Sequence, residues 1–286
     1  MSQIQDEPPV PNRRLSSYTI PMTKRQIEKF QKEILTHYKE NKRSMPWRDI
    51  SNPYKIFVSE MMLQQTQVER VRIKYAEFIK KFPTLKSVAQ ADKIEILKVW
   101  QGLGYNRRAL FIKKTCEEII SKHKGIFPKD FDTLQTLPGI GPSTAGALCA
   151  FAYNQPVFFI ETNIRAVILH FFFKNKTNVS DKEIVNVLKK VTPTTTDPRD
   201  WYYALYDYGT FLKKTLGKKK VELHKKSKHY VKQSKFEGSF RQKRAGVLKL
   251  KLADSNISDE EIIQELSLSP QEFEDVIESL DKDGLI

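Results

Sequence analysis

The sequence predicts an all-α protein. Apolar residues recur at helical spacing along most of the chain, alternation of strand type is confined to residues 157–160, and no repeat of solenoid period occurs. The elements follow in order. Residues 23–38 open on a Thr in the capping position and place Ile27, Phe30, Ile34 and Tyr38 on one face. Pro46 interrupts the pattern, and Asn52-Pro53 begins a helix expected to run to about Phe82. Shorter helices are expected over 85–89 and 91–99, then an amphipathic one over 107–122. Residues 131–136, 143–153, 162–173, 181–191 and 201–216 complete the main series. Near the C-terminus, 245–254, 258–266 and 269–280 read as three short helices, two of them in helix-turn-helix layout. Asp283-Gly284 reads as the turn of a small wing.

Charge divides the chain unevenly. The 49 Lys and Arg exceed the 34 Asp and Glu, a net of +15, which suits a polyanionic partner. Residues 213–251 hold 15 Lys/Arg and two acidic residues, a net of +13, whereas residues 252–286 carry a net of −10. The stretch 218–243 is too basic to pack on itself and reads as a solvated helix and loop or as a strap along DNA. No run of 18 apolar residues exists to cross a membrane, and the first residues, with Pro8, Pro9 and Pro11, read as a disordered leader rather than a signal peptide. Two cysteines, Cys116 and Cys149, exclude a disulfide framework and a Cys-based metal site. They are expected as buried, reduced thiols of an intracellular protein, bacterial cytoplasmic (nucleoid) or nuclear.

Leu137-Pro-Gly-Ile-Gly-Pro-Ser-Thr-Ala-Gly-Ala147 is a turn feeding a small-residue helix. Gly139 and Gly141 allow the backbone to tighten, and the unpaired N–H groups of the next helix form a seat for an anion such as phosphate. A helix-to-helix turn without a ligand is the plainer alternative, and the basic composition favours the nucleic-acid reading.

Five motifs then occur in one order: Arg43-Ser-Met-Pro-Trp-Arg48, Pro53-Tyr54-Lys55, Ser59-Glu-Met-Met-Leu-Gln-Gln-Thr-Gln-Val68, Gly102-Leu-Gly-Tyr105 and the 137–146 hairpin. Over residues 23–216 this set resembles the helix-hairpin-helix DNA glycosylases, and among them the adenine glycosylases that act opposite oxidised guanine. The resemblance implies a two-lobed all-α core: residues 23–45 with 154–244 as one lobe carrying the basic strap, and 46–153 as a helical barrel lobe with the hairpin. Residues 245–286 would form a small helix-turn-helix or winged-helix-like tail, docked on the body or on a protein partner. The implied partner is double-stranded DNA with a mismatched or oxidised base pair, bound by a monomer without a membrane.

N-glycosidic cleavage needs a proton for the departing base and a carboxylate beside the cationic sugar, with the target nucleotide flipped out of the stack. Glu60 lies in an apolar stretch that would raise its pKa and suit it to donate the proton. Glu161 falls where the resemblance places an aspartate, with Asn163 at the family asparagine, although Glu161 could also simply cap the helix that follows. Ser143 stands where bifunctional relatives carry a Schiff-base lysine, which implies hydrolysis without a lysine-type lyase step. Gln64, Gln65 and Tyr105 match residues that probe and wedge the duplex; Arg43, Met45 and Trp47 match the base pocket, Trp47 being equally suited to plain core. Lys218, Lys219 and Lys220, with Gly139 and Gly141, are expected on DNA.

Three departures bear on substrate. The four cysteines of an iron–sulfur cluster are missing after residue 216, so no cofactor is expected beyond a monovalent cation compatible with the hairpin. Tyr203 replaces a Glu or Gln near the adenine. The larger β-domain that reads oxidised guanine has no counterpart in the last 40 or so residues. Adenine opposite 8-oxoguanine or guanine is the favoured substrate; a thymine or uracil mismatch glycosylase and a non-catalytic DNA-binding module are the alternatives.

Overall fold

A computed structural model describes residues 22–286 apart from Gln233; residues 1–21, including most of the expected leader, lie outside the described residues. The described residues are all-α, with one isolated bridge between Val179 and Ser227 and no strand. Residues 157–160, read as a candidate strand, run extended without a neighbouring strand to pair with.

Local capping sets most helix starts. At α1 (Lys24–Asn41) the Thr23 hydroxyl accepts from the Gln26 N–H while the Gln26 side chain accepts from the Thr23 N–H. Phe30, Ile34 and Tyr38 of α1 pack on α10 (Asp181–Val191) and α11 (Pro198–Leu216). α2 (Pro53–Leu63) starts from an Asn52 cap with proline in the first turn and is buried on nearly every side. It lies against α3 (Val68–Lys81), α6 (Arg107–His123) and α8 (Pro142–Tyr153). α4 (Leu85–Gln90) and α5 (Lys93–Trp100) flank α6, and α7 (Phe131–Gln135) leads into the glycine turn before α8.

The single helix expected from Pro53 to Phe82 is two helices. The chain breaks at residues 64–67, where Gln65 adopts φ +54°. The buried Arg108 guanidinium explains the break. Nη1 donates to the carbonyls of Met61 (2.6 Å), Met62 (3.1 Å) and Gln64 (2.6 Å). Nη2 donates to Thr66 Oγ1 (3.2 Å) and to the carbonyls of Leu103 (3.3 Å) and Gly104 (3.1 Å). The carbonyls at the end of α2 are therefore satisfied by a side chain, and the 64–66 and 103–104 turns are locked side by side.

α9 (Thr162–Phe172) runs along α11 in the most extensive helix contact of the structure. α12 (Lys220–Lys225) folds back on α9 after a short 3₁₀ turn. The last helices, α13 (Phe240–Ala253), α14 (Asp259–Leu266) and α15 (Pro270–Lys282), surround Val247, Leu248, Leu252, Ile262, Phe273, Val276 and Leu280. This group docks on the body: α13 meets α5, Arg107 pairs with Asp283 (3.4 Å), and Lys93 donates to the Gly284 carbonyl (3.2 Å). The expected wing turn at Asp283-Gly284 is instead a helix stop. Gly284 takes φ +69°, its N–H bonds the Asp281 carbonyl (2.7 Å), and the Leu285 N–H bonds that of Leu280 (3.0 Å). That pairing satisfies the end of α15 and returns Leu285 to the core.

Replacing Arg108 with Met should lower folding stability by about 3 kcal/mol, since several buried carbonyls lose their donors together. Urea unfolding checks this; a loss below about 0.5 kcal/mol would show that the turns hold themselves.

Candidate active site

Two glutamates define the site. Glu60 lies in the last turns of α2 and is half-buried. Burial, and secondarily the charge of Glu161, push its pKa up to about 8, against a smaller opposing pull from Arg48. At neutral pH it carries a proton it can donate. Glu161 caps α9: its Oε1 accepts from the N–H groups of Asn163 (2.6 Å) and Ile164 (2.9 Å), and its Oε2 from Asn163 Nδ2 (3.1 Å). Burial, the largest influence, leaves its pKa above the ordinary carboxylate value, and these hydrogen bonds and the neighbouring Lys213 offset part of that rise. Capping and a place beside Glu60 are thus compatible for one residue. Both carboxyls are raised by burial, and only Glu161 has N–H donors and a lysine that favour its charged form.

α11 supplies the wall beside them. Asp207 is buried and takes both guanidinium nitrogens of Arg48 (2.7 and 2.8 Å), together with the Arg43 backbone N–H (3.1 Å) and side chain. These partners keep its carboxyl below the usual range against the effect of burial. Arg48 lies over the Tyr203 ring at 4.5 Å, and Tyr203 stacks on Phe151 at 4.1 Å. Glu60 and Glu161 both act on Tyr206, whose hydroxyl is held far from ionisation by burial and by their charges.

Of the residues matched to a base pocket, Tyr203 neighbours Glu60 electrostatically, and Arg43 is committed to Asp207. Met45 and Trp47 are buried, and Trp47 packs edge-on against Tyr75 as core. Arg48, Asp207, Tyr206 and Lys213 were not singled out from the sequence as site residues. An acidic residue flanked by Tyr206 and Tyr208 on α11 was the available signal for Asp207.

The duplex-probing candidates share one side of the molecule. Gln64 and Gln65 are exposed in the α2–α3 break, and Gln64 Nε2 donates to Thr144 Oγ1 (3.3 Å) in the first turn of α8, next to half-buried Ser143. Tyr105, 41% exposed at φ +47°, ends the neighbouring turn held by Arg108. Gly139 must be glycine: at φ +74° an added Cβ would lie 2.6 Å from Phe111. Gly141 is extended and opens α8. Lys218, Lys219 and Lys220 stand exposed beyond α11.

The iron–sulfur cluster implied by the resemblance needs four thiolates after α11. The chain has two cysteines, both buried, Cys116 on α6 and Cys149 on α8, so the residues present do not fit the cluster. Backbone pairing secures the segment instead. The Val179 N–H bonds the Lys226 carbonyl (2.8 Å) and the Lys228 N–H bonds the Val179 carbonyl (2.9 Å). Arg165 adds an ion pair to Asp181, and Lys226 Nζ donates to the Lys174 carbonyl (2.7 Å).

Residues 58–194, a little under half of the chain, match the family described as HhH-GPD superfamily base excision DNA repair protein. The chain is also similar to proteins named adenine DNA glycosylase. It is 38% identical to that of Buchnera aphidicola subsp. Baizongia pistaciae over 166 residues, covering 57% of this chain and 47% of the relative. It is also 38% identical to that of Mycolicibacterium smegmatis over 170 residues, covering 58% and 57%. The chain thus spans about half the length of these curated relatives. The solved structure of a thermostable thymine-DNA glycosylase shares the fold, with a TM-score of 0.58 at 24% identity over 65% of this chain and 86% of that one.

The raised pKa of Glu60 makes a prediction about stability. Between its ordinary value of 4.5 and about 8 the folded state binds the proton more tightly than the unfolded state. Its contribution is therefore fully present below 4.5 and is lost as pH rises through about 8. Glu60→Gln, which cannot ionise, should melt at a higher temperature than the unsubstituted protein at pH 9, and the gap should narrow towards pH 5. Thermal unfolding across that range checks it; a gap that does not vary with pH would contradict the protonated state.

Proposed function

We propose that this protein is a monofunctional DNA glycosylase that removes adenine from a mispair with 8-oxoguanine or guanine. The observation that carries the proposal is the pairing of a proton-bearing Glu60 with a hydrogen-bonded Glu161 in one half-buried site. The named relatives support adenine as the base.

The chemistry follows from the two carboxyls. Glu60 gives its proton to a ring nitrogen of the flipped base as the C1′–N bond breaks and its electron pair leaves with the base. Glu161, fixed by three N–H donors that favour its charged form, stabilises the cationic sugar. Water adds to C1′ and releases a proton. Ser143, at the start of α8, offers no amine for an imine, so the product is an intact strand with an abasic site.

The N-terminus of α8 would take a backbone phosphate, with Gln64, Gln65 and Tyr105 entering the duplex around the extruded nucleotide. Lys218, Lys219 and Lys220 would extend the contact along the backbone, and the protein would act as a monomer inside the cell.

Single-turnover excision on duplexes pairing A, T or U with G or 8-oxoguanine tests the substrate. Adenine should leave fastest; faster release of thymine or uracil would move the protein to the mismatch class. Glu60→Gln should slow excision by at least about 100-fold with binding retained, the scale expected of a lost general acid. Rates within threefold of the unsubstituted protein would remove Glu60 from that role.

Salt dependence tests the basic segment. Neutralising Lys218, Lys219 and Lys220 together should flatten the log–log salt slope of duplex binding by about two to three, each phosphate contact contributing close to one. An unchanged slope would mean these lysines face solvent only.

A further inference from the structure

We infer that Lys213 is a positioning residue for Glu161, acting through the amide of Asn163. The inference rests on the reading of Glu161 as the group that stabilises the sugar cation. Lys213 Nζ donates to Asn163 Oδ1 at 2.8 Å, and Asn163 Nδ2 donates to Glu161 Oε2 at 3.1 Å. The chain of contacts has one satisfied orientation. An ammonium has only donors and an ionised carboxylate only acceptors, so the amide must turn its oxygen to the lysine and its nitrogen to the glutamate. Without the lysine the amide could flip, and its oxygen would then face the carboxylate.

The backbone is built for this contact. Gly209 and Lys213 lie four residues apart on α11 and so share a face. A Cβ on Gly209 would sit 2.6 Å from the Asn163 Cβ and 2.8 Å from its Cα, so α11 and the start of α9 touch at backbone distance. One turn further along, Lys213 is half-buried and reaches the same asparagine, while its neighbour Lys214 is exposed. The first lysine of the strongly basic segment is thereby directed into the site rather than outward.

The charges around Glu161 come from several elements. Lys213 and Tyr206 face it from α11, Arg165 from its own helix and Glu60 from α2. Lys213 in turn feels Lys220, Arg43 and, from α12, His224; burial lowers its pKa while Glu161 raises it. Removing the Lys213 charge leaves Glu161 harder to ionise, so the acidic limb of activity moves to higher pH.

Lys213→Met, Lys213→Arg and the unsubstituted protein distinguish this role from others. Single-turnover excision at saturating enzyme should fall about tenfold or more in Lys213→Met, with the acidic limb raised by about one pH unit. Lys213→Arg should restore the rate to within a few-fold and return the limb. Duplex affinity should change little. A lost affinity with an unchanged rate and limb would make Lys213 a phosphate contact and overturn the inference, as would an unchanged rate in Lys213→Met.

The carboxyl carbon of Glu161, assigned by its loss in Glu161→Gln, can also be titrated by NMR in the DNA-free protein. Its pKa should rise in Lys213→Met and return in Lys213→Arg; no rise would overturn the coupling. If the unsubstituted protein excised no base, the proposed function would fall while this titration still decided the link from Lys213 to Glu161.

Discussion

The buried carboxylate of Asp207 is the interaction on which the arrangement depends. It joins residues about 160 positions apart in sequence, binding Arg48 through both guanidinium nitrogens and Arg43 through backbone and side chain. Such a cluster adds little net stability over well-packed apolar groups, because desolvating the charges offsets much of their attraction. Its geometry is another matter. The two-point contact fixes the 43–48 turn on α11, and that turn leads directly to α2, which carries Glu60. Arg48 is also held over Tyr203, so one ion pair sets the wall of the candidate site and the entry of the helix that carries Glu60 together.

Close helix contacts convert this frame into the geometry of the candidate site. Phe159 occupies the space that a side chain at Gly146 would need, which draws the extended 157–160 segment onto α8 and delivers Glu161 at its end. Gly209 performs the same service between α11 and Asn163. The result places carboxyls from α2 and from the start of α9 near each other under a common desolvation. Burial raises the pKa of both, but Glu161 has three N–H donors that favour its charged form, whereas Glu60 is governed by burial and by the charge beside it.

The turns that face the proposed duplex are positioned from beneath by Arg108, which satisfies carbonyls of both. The C-terminal helices reach the same side, since Arg241 donates to the Tyr105 hydroxyl at 3.0 Å. Their acidic surface thus belongs to a group docked on a basic body, with Arg107 and Asp283 among the joining charges. Past α11, main-chain pairing to Val179 and lysine-to-carbonyl contacts hold a segment that lacks thiolates for a cluster.

The sequence by itself determined the all-α class and most helix starts, because capping side chains, prolines and apolar periodicity act within a few residues of where they lie. The starts of α3, of α11 at Pro198 rather than 201 and of α13 at Phe240 rather than 245 were not among them. Glu60, Glu161, Asn163 and the glycine turn were legible as candidates for the same reason, as ordered local motifs. The tertiary structure alone decided the break after α2, which depends on Arg108 from another helix, and the stop at Gly284, whose Leu285 returns to a core. It alone joined Asp207 to Arg43 and Arg48, committed Arg43 to an ion pair, and set Trp47 against Tyr75. It alone turned Lys213 inward among so many outward lysines. Side-chain contacts across 50 to 160 residues carry no periodic signature, so only the packed chain reveals which charges meet.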